Sequence, residues 1–477
     1  MNNKPTKKFD VVVIGGGPAG REMLKMLHEK LIQQNKKMSL LMIKAERLNV
    51  NRCAVPYGIS TQKPIQKFLI ANKPITDIAE MIIDRVEEID PKKSIVKTKK
   101  GHVFEFNQLL YATGASPFIP QIPNIKSENI SPVRGLKDLR FLRTAATYLH
   151  DKPKHATVIG CGFIGIEVAN SLQALGLKVT IVERHKTVLS RTTEPEFIST
   201  LENLLYEHGI SIKAGADVVG FERSKTEPNK ISHILFSDGT SLRTDFVVLS
   251  VGVRPNIELA KKAGIATTPL GVVTNDHLQT NFPHIYSGGD CTEKKCFITG
   301  KPIKSQYGTT AVFQGKIIAY NMIGKKRAFP GVINANCTKV YDWGVGGAGL
   351  TQTAAEQFGI NTVTGFSTTL DKYPQIDHSN VYTKLVFDKQ TRRLIGGNVL
   401  RKGDSVAQNA DWISFAIQMG ATIEDLVNYQ YSAHPELNPD VEHNMFMFSA
   451  KDALAKLEKP IKERIKNHLE SDLKKKK

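Results

Sequence analysis

Asp10–Gly20 reads DVVVIGGGPAG, and Val158–Gly165 reads VIGCGFIG. Each is a short β-branched run that breaks into spaced glycines ahead of a helical stretch: Gly15, Gly17 and Gly20 in the first copy, Gly160, Gly162 and Gly165 in the second. Glycine permits the tight turn and lets the backbone approach a pyrophosphate, whose charge then rests at a helix N-terminus. A strand-to-helix turn with no ligand would explain a single copy. Two copies in one chain read as two dinucleotide sites.

In the second copy, KVTIVER supplies a strand ending at Glu183, where an acid meets a ribose 2′-hydroxyl. This favours NADH over NADPH, although the adjacent Arg184 and His185 offer an alternative grip on a 2′-phosphate. The first copy departs from the rule. Its strand SLLMI ends at Lys44 and the nearest acid is Glu46. Either the turn carries Glu46 to the ribose, or the backbone and Lys44 hold the adenosine end in another way. Two further apolar strands run into small residues: LLYATGASP, with Thr113 and Gly114, and HIYSGGDCT, with Gly289 and Asp290. A carboxylate at the second suits a ribityl chain or a pyrophosphate at a strand's C-terminal end. LSVGVRPN, with Gly252, is a third junction of this kind.

Composition bounds the rest. The chain has 477 residues, 41% apolar and 23% charged, which fits a folded protein of about two to four domains. It holds no apolar run of the roughly 18–20 residues that a bilayer crossing needs, so integral membrane function is excluded. The opening MNNKPTKKFDVVVIGGGPAG has a basic start, but its apolar run stops at the glycines and reads as a first strand, not an export signal. The five cysteines (Cys53, Cys161, Cys291, Cys296, Cys337) are few, odd in number and unpaired in spacing, so a reducing compartment, the cytoplasm, is expected. The net charge of +19 attracts phosphorylated small molecules, anionic membranes and nucleic acid alike, and decides nothing alone. Residues 451–477, closing on Lys474–Lys477, read as a solvated helix with a frayed end.

Taken together, GGGPAG, ATGASP, GCGFIGIE, VGVRPN and SGGDC, in that order, resemble the FAD- and NAD(P)H-dependent pyridine nucleotide-disulfide oxidoreductases over residues 9 to about 445. The resemblance implies an α/β fold with two Rossmann-like nucleotide-binding domains and an α+β C-terminal dimerisation domain. The expected boundaries are 1–120 with 281–330 for FAD, 121–280 for NAD(P)H, 331–450 for dimerisation and 451–477 for a Lys-rich tail. KVYDWGVGGAGLTQTAAEQFG and KLVFDKQTRRLIGGNVL resemble the third domain's early strands and helix. A homodimer is implied.

The chemistry is expected at NRCAVPYGIS, where Cys53 precedes Pro56, Tyr57 and Gly58. Gly58 takes the place of the second cysteine of the two-cysteine branch, so the chain resembles the single-cysteine branch: coenzyme A-disulfide reductases, sulfur or polysulfide reductases, NADH oxidases and peroxidases. One sulfur suffices, because a thiolate attacks a disulfide or polysulfide and a reduced flavin returns two electrons to release the second thiol. The plain alternative is a packing cysteine. Many peroxidases and oxidases of the branch carry a His where this chain has Ala19, which favours a thiol-type acceptor: a small disulfide, a persulfide or polysulfide, or a coenzyme A derivative.

NYQYSAHPELNP places His434 before Pro435, similar to the family His-Pro that protonates a leaving thiolate across the dimer, while Tyr431 and Tyr429 are alternative donors. Pro439 stands where the usual Glu partner would be. Glu167 has a family role beside the flavin, but Thr61 replaces its lysine partner, leaving a solvated helix residue as the alternative. Cys291 and Cys296 lack further ligands for zinc, and no metal is expected. Cys161 fills a variable place between glycines, and Cys337 is expected to pack in the dimerisation domain. Three functions are carried forward. The first is NADH-driven reduction of a small disulfide, persulfide or polysulfide through FAD and Cys53. The second is reduction of oxygen or peroxide through a Cys53 sulfenic acid. The third is a flavin-containing binding or electron-transfer module. Nucleic acid is not the expected partner, because Cys53 beside a flavin has no use there.

Overall fold

The computed structural model describes residues 7–147 and 154–459. The expected tail lies mostly beyond them, at 460–477. The chain divides into two compact units. The first comprises Met1–Gln121, Ser131–Tyr148 and Val251–Val332, and the second Ile122–Ile130, Leu149–Ser250 and Ile333–Lys477. Residues 251–280, expected with the NAD(P)H domain, lie in the first unit, and the second unit includes the C-terminal segment.

The first unit is built on a parallel sheet in the order Glu80–Ile83, Leu40–Lys44, Lys7–Ile14, Val103–Tyr111 and Ile285–Ser287. Strands Val86–Asp90 and Ile95–Thr98 extend it as an antiparallel meander. The VVVI and LLMI runs are apolar at every position because helices or loops cover both faces, as parallel sheets require. Val11 and Val13 face a core shared with Met23, Leu24, Leu27 and Ile318, while Val12 and Ile14 face a second core with Val96 and Leu109. Burying each such side chain contributes about 1.5–3 kcal/mol.

Helix Pro18–Gln33 starts with Pro in its first turn, whose missing N–H costs nothing there. It packs against helix Gly308–Met322, and the crossing is close: a Cβ on Gly315 would lie 2.6 Å from the Ala19 carbonyl oxygen. The Ala19 methyl, in turn, faces Gly289, where a Cβ would approach it to 3.3 Å. This contact fixes the helix N-terminus over the sheet edge.

The second unit repeats the plan with parallel strands in the order Phe246–Leu249, His155–Ile159, Lys178–Val182 and Ile210–Lys213. Its C-terminal part is a five-stranded antiparallel sheet in the order Asn336–Val340, Trp343–Gly349, Leu394–Lys402, Asn380–Asp388 and Thr362–Leu370. Helix Val406–Gln418 and a helix over 445–459 belong to it. The latter lies so near the sheet that a Cβ on Gly365 would overlap the Ser449 carbonyl. Lys384, almost wholly buried on the sheet, meets Glu194 at 3.0 Å and Glu196 at 2.7 Å, tying the loop before helix Ile198–Glu207 to the C-terminal strands. No helix among the described residues is long and apolar enough to cross a membrane.

Candidate active site

At the first turn Gly15 adopts φ +115°, and a Cβ there would sit 2.1 Å from the Ala112 oxygen. A Cβ on Gly20 would meet the Gly15 oxygen at 2.6 Å. Both positions admit only glycine, which is why the turn is legible. Gly17 is the opposite case: nothing lies within 4 Å of where its Cβ would be, and it caps the helix with no side-chain acceptor. Free helix N–H groups beside an open space form a cradle that fits a pyrophosphate. The FAD implied by the resemblance therefore has a matching seat here.

The strand ends beside this turn are stitched together. The Asn256 side chain donates to the Thr113 carbonyl (2.9 Å), its backbone N–H donates to the Gly114 carbonyl (2.9 Å), and its own carbonyl accepts from Thr113 Oγ1 and Tyr111 OH (both 2.8 Å). Antiparallel pairing of Ala115–Pro117 with Val253–Pro255 continues the seam, and Phe118 N–H donates to the Gly252 carbonyl. Asp290 follows Gly289, whose N–H donates to the Gln314 side chain and whose carbonyl accepts from buried Lys294 at 2.6 Å. Burial pulls the Lys294 ammonium below its usual range. Arg134 reaches Asp290 at 3.4 Å. Burial and the neighbouring Arg52 lower the Arg134 guanidinium, against the pull of Asp290. Arg134 carries no sequence signal, because its partner Asp290 is distant in the chain.

Glu46, a candidate for the ribose, is 61% exposed and lies 3.8 Å from Arg52. At the strand end itself stands Lys44, buried, with Nζ donating to Asn49 Oδ1 (2.9 Å) and Asn72 Oδ1 (2.8 Å).

Cys53 sits on a 3₁₀ turn, Arg52–Ala54, followed by another, Pro56–Gly58. Its side chain is exposed, and so is Tyr57. Arg143 anchors the loop by donating to the Gly58 carbonyl (2.6 Å) and the Lys63 carbonyl (2.9 Å) while lying over the Phe68 ring. A Cβ on Gly58 would press on Leu139 at 3.0 Å and Phe68 at 3.2 Å. Packing at that position leaves little space for another sulfur.

The second turn mirrors the first. Gly160 has φ +102°, a Cβ on Gly165 would lie 2.0 Å from the Gly160 oxygen, and Gly162 faces open space. Glu183 closes the strand, its two carboxylate oxygens accepting from the N–H groups of Cys161 (2.7 Å) and His185 (2.8 Å). Cys161 is buried, its thiol pushed up by burial and by Glu183. Cys291 and Cys296 are buried as well, whereas Cys337, expected to pack, is exposed on its strand.

Glu167, on helix Phe163–Gln173, accepts a hydrogen bond from Thr338 at 2.9 Å. Tyr431 donates to the Val441 carbonyl at 2.5 Å and Tyr429 to Asn444 at 2.7 Å, with burial raising the Tyr429 phenol. His434 is exposed, its Nδ1 accepting from the Glu436 N–H at 3.3 Å. Thus Cys53, Thr113, Gly114, Gly252, Gly289 and Asp290 share the first unit with the first glycine turn, and Glu167, Glu183, Tyr431 and His434 fall in the second.

Residues 9–315 match the pyridine nucleotide-disulphide oxidoreductase family and residues 336–445 its dimerisation domain, so the chain belongs to this family of FAD- and NAD(P)H-dependent oxidoreductases. It is 32% identical to an NADH oxidase of Methanocaldococcus jannaschii, over 94% of this chain and 99% of that protein. It is 28% identical to an NAD(P)H coenzyme A polysulfide/persulfide reductase of Pyrococcus horikoshii, over 88% and 93% respectively. Among solved structures, an NAD-dependent persulfide reductase from A. fulgidus superposes with TM-score 0.86 at 28% identity, covering 94% of this chain and 83% of that one.

Proposed function

We propose that the protein passes electrons from NADH to a low-molecular-weight disulfide, persulfide or polysulfide through Cys53. The first glycine turn, with Asp290, would hold FAD, which would supply the two-electron relay from NADH to sulfur. The observation that carries the reading is the Cys53 loop: an exposed sulfur on a turn clamped by Arg143, with the second-cysteine position filled by Gly58 against Leu139 and Phe68. The Cys53 thiolate attacks one sulfur of the acceptor, forms a bond to it and expels the other as a thiolate or hydrosulfide. Two electrons then break the new bond and release the second product. The expelled sulfur takes its proton from His434 or Tyr431, contributed across a homodimer formed by the C-terminal domain. With Nδ1 of His434 accepting from the Glu436 backbone N–H, Nε2 is the ring nitrogen left to face an expelled sulfur. Names of relatives support a coenzyme A-linked sulfur acceptor. The unpaired cysteines fit a reducing compartment, the cytoplasm.

The name of the Methanocaldococcus relative supports a second reading, oxidation of NADH by oxygen. The test is stopped-flow kinetics on wild type and Cys53→Ser with NADH, then anaerobic acceptors. The variant is expected to keep flavin reduction by NADH and to lose turnover with coenzyme A disulfide and polysulfide by about a thousandfold or more, the scale of losing a covalent nucleophile. Unimpaired sulfur turnover in the variant refutes the assignment. Wild type that reoxidises only with oxygen supports the second reading.

A further inference from the structure

A dinucleotide fingerprint calls for an acid at the end of the strand after the glycine turn, where it accepts from ribose hydroxyls. In the first unit that place holds a cation. Lys44 ends its strand 3% exposed, and its aliphatic stem lies against the turn, since a Cβ on Gly16 would sit 2.8 Å from Lys44 Cδ. Two carboxamides face its ammonium with their oxygens: Asn49 Oδ1 at 2.9 Å and Asn72 Oδ1 at 2.8 Å. Their nitrogen ends are committed elsewhere, Asn49 Nδ2 to the Gly16 carbonyl (2.8 Å) and Asn72 Nδ2 to the Arg47 carbonyl (3.2 Å). The amide orientations are thus set by backbone, and the nest they form suits an ammonium and repels a carboxylate.

An ammonium has three N–H groups, and two are used. Beside it lies Arg21, 7% exposed, whose Nη2 donates to the Ala71 carbonyl at 2.6 Å while Nη1 is buried with no partner. Among the described residues neither cation forms an ion pair. Burial, and then the repulsion of Arg21, lower the Lys44 ammonium. Two adjacent buried cations with unspent donors are costly unless something accepts from them. A nucleotide rich in hydroxyl and phosphate oxygens is such an acceptor.

We propose that Lys44, oriented by Asn49 and Asn72, replaces the fingerprint acid and donates its remaining N–H to the adenosine ribose of FAD. The proposal rests on the first glycine turn holding FAD and adds which groups recognise the adenosine end. Recognition there runs by donation to the ribose rather than acceptance from it.

The test uses full-length protein stripped of flavin, with dissociation constants for FAD and for FMN measured by quenching of flavin fluorescence. FMN carries the same ring and ribityl phosphate without adenosine. Lys44→Gln is expected to weaken FAD by about tenfold to a hundredfold, the range for one charge-assisted hydrogen bond, and to leave FMN unchanged. Asn72→Ala, which frees one side of the ammonium, moves the FAD-to-FMN ratio in the same direction. Equal losses toward FAD and FMN reveal a merely structural lysine and overturn the proposal, as does an unchanged ratio in both variants. Wild type that takes up no FAD would instead defeat the flavin reading itself, an outcome distinct from either.

Discussion

Asn256 and Thr113 are bonded in both directions: the Asn256 amide donates to the Thr113 carbonyl at 2.9 Å, and the Thr113 hydroxyl donates to the Asn256 carbonyl at 2.8 Å. Two strand-to-turn junctions more than a hundred residues apart in the chain are locked face to face by one side chain. Asn256→Ala removes the amide donor and the acceptor for Ser116 Oγ. It is expected to cost about 1–3 kcal/mol, the range for leaving a partly buried carbonyl unmet. A shift of the urea midpoint with unchanged slope checks this.

Glu183 holds the Cys161 and His185 N–H groups with its two oxygens, so its carboxylate is fixed at the strand end before any nucleotide arrives. Glu183→Ala should remove both an acceptor for a ribose hydroxyl and a negative charge that repels a 2′-phosphate. The ratio of kcat/KM for NADH to that for NADPH is expected to fall by about tenfold to a hundredfold. An unchanged ratio, with both values reduced alike, would leave Glu183 as a structural clasp only.

Lys384 lies between Glu194 and Glu196 in the second unit, with Gln352 Oε1 a further acceptor at 3.0 Å. Burial already raises the Glu194 carboxyl, and Lys384 is what opposes that rise. Lys384→Met strands a buried carboxylate and should destabilise the protein by about 3–5 kcal/mol at neutral pH. The sign of the pH dependence follows. Glu194 then has a folded pKa above its unfolded value, so the folded chain holds the extra proton, and stability is regained as pH falls through that raised pKa. Urea melts of variant and wild type at pH 7 and pH 5 should therefore show the deficit shrinking at the lower pH.

Legibility in the sequence followed locality. Gly15 was readable because it combines a positive φ with a backbone oxygen where a side chain would go, and Gly160 because it shares that φ, a demand glycine meets. Glu183 was readable because a fixed spacing from the turn brings it to the strand end. The same count failed to resolve the first unit: Glu46 is near enough in sequence, but the strand stops at Lys44 and the following turn points Glu46 to solvent and Arg52. Arg134 with Asp290, Arg143 with Gly58, and Asn256 with Thr113 depend on contacts between distant segments, and no single stretch contains both halves. Thr338 with Glu167 is of the same kind, and it gives that acid a partner that helix periodicity does not suggest. Val253–Pro255 pairs with Ala115–Pro117 and groups with the first unit, a long-range pairing that no single stretch of sequence contains.

The packing around Ala19 limits which side chains that position can hold. Its methyl group is hemmed in by Gly289, and its carbonyl by Gly315 on the crossing helix. A larger side chain at that site would press on the turn at Gly289. The size of residue 19 is therefore tied to that of residue 289, about 270 positions downstream, and a change at one is expected to call for a change at the other.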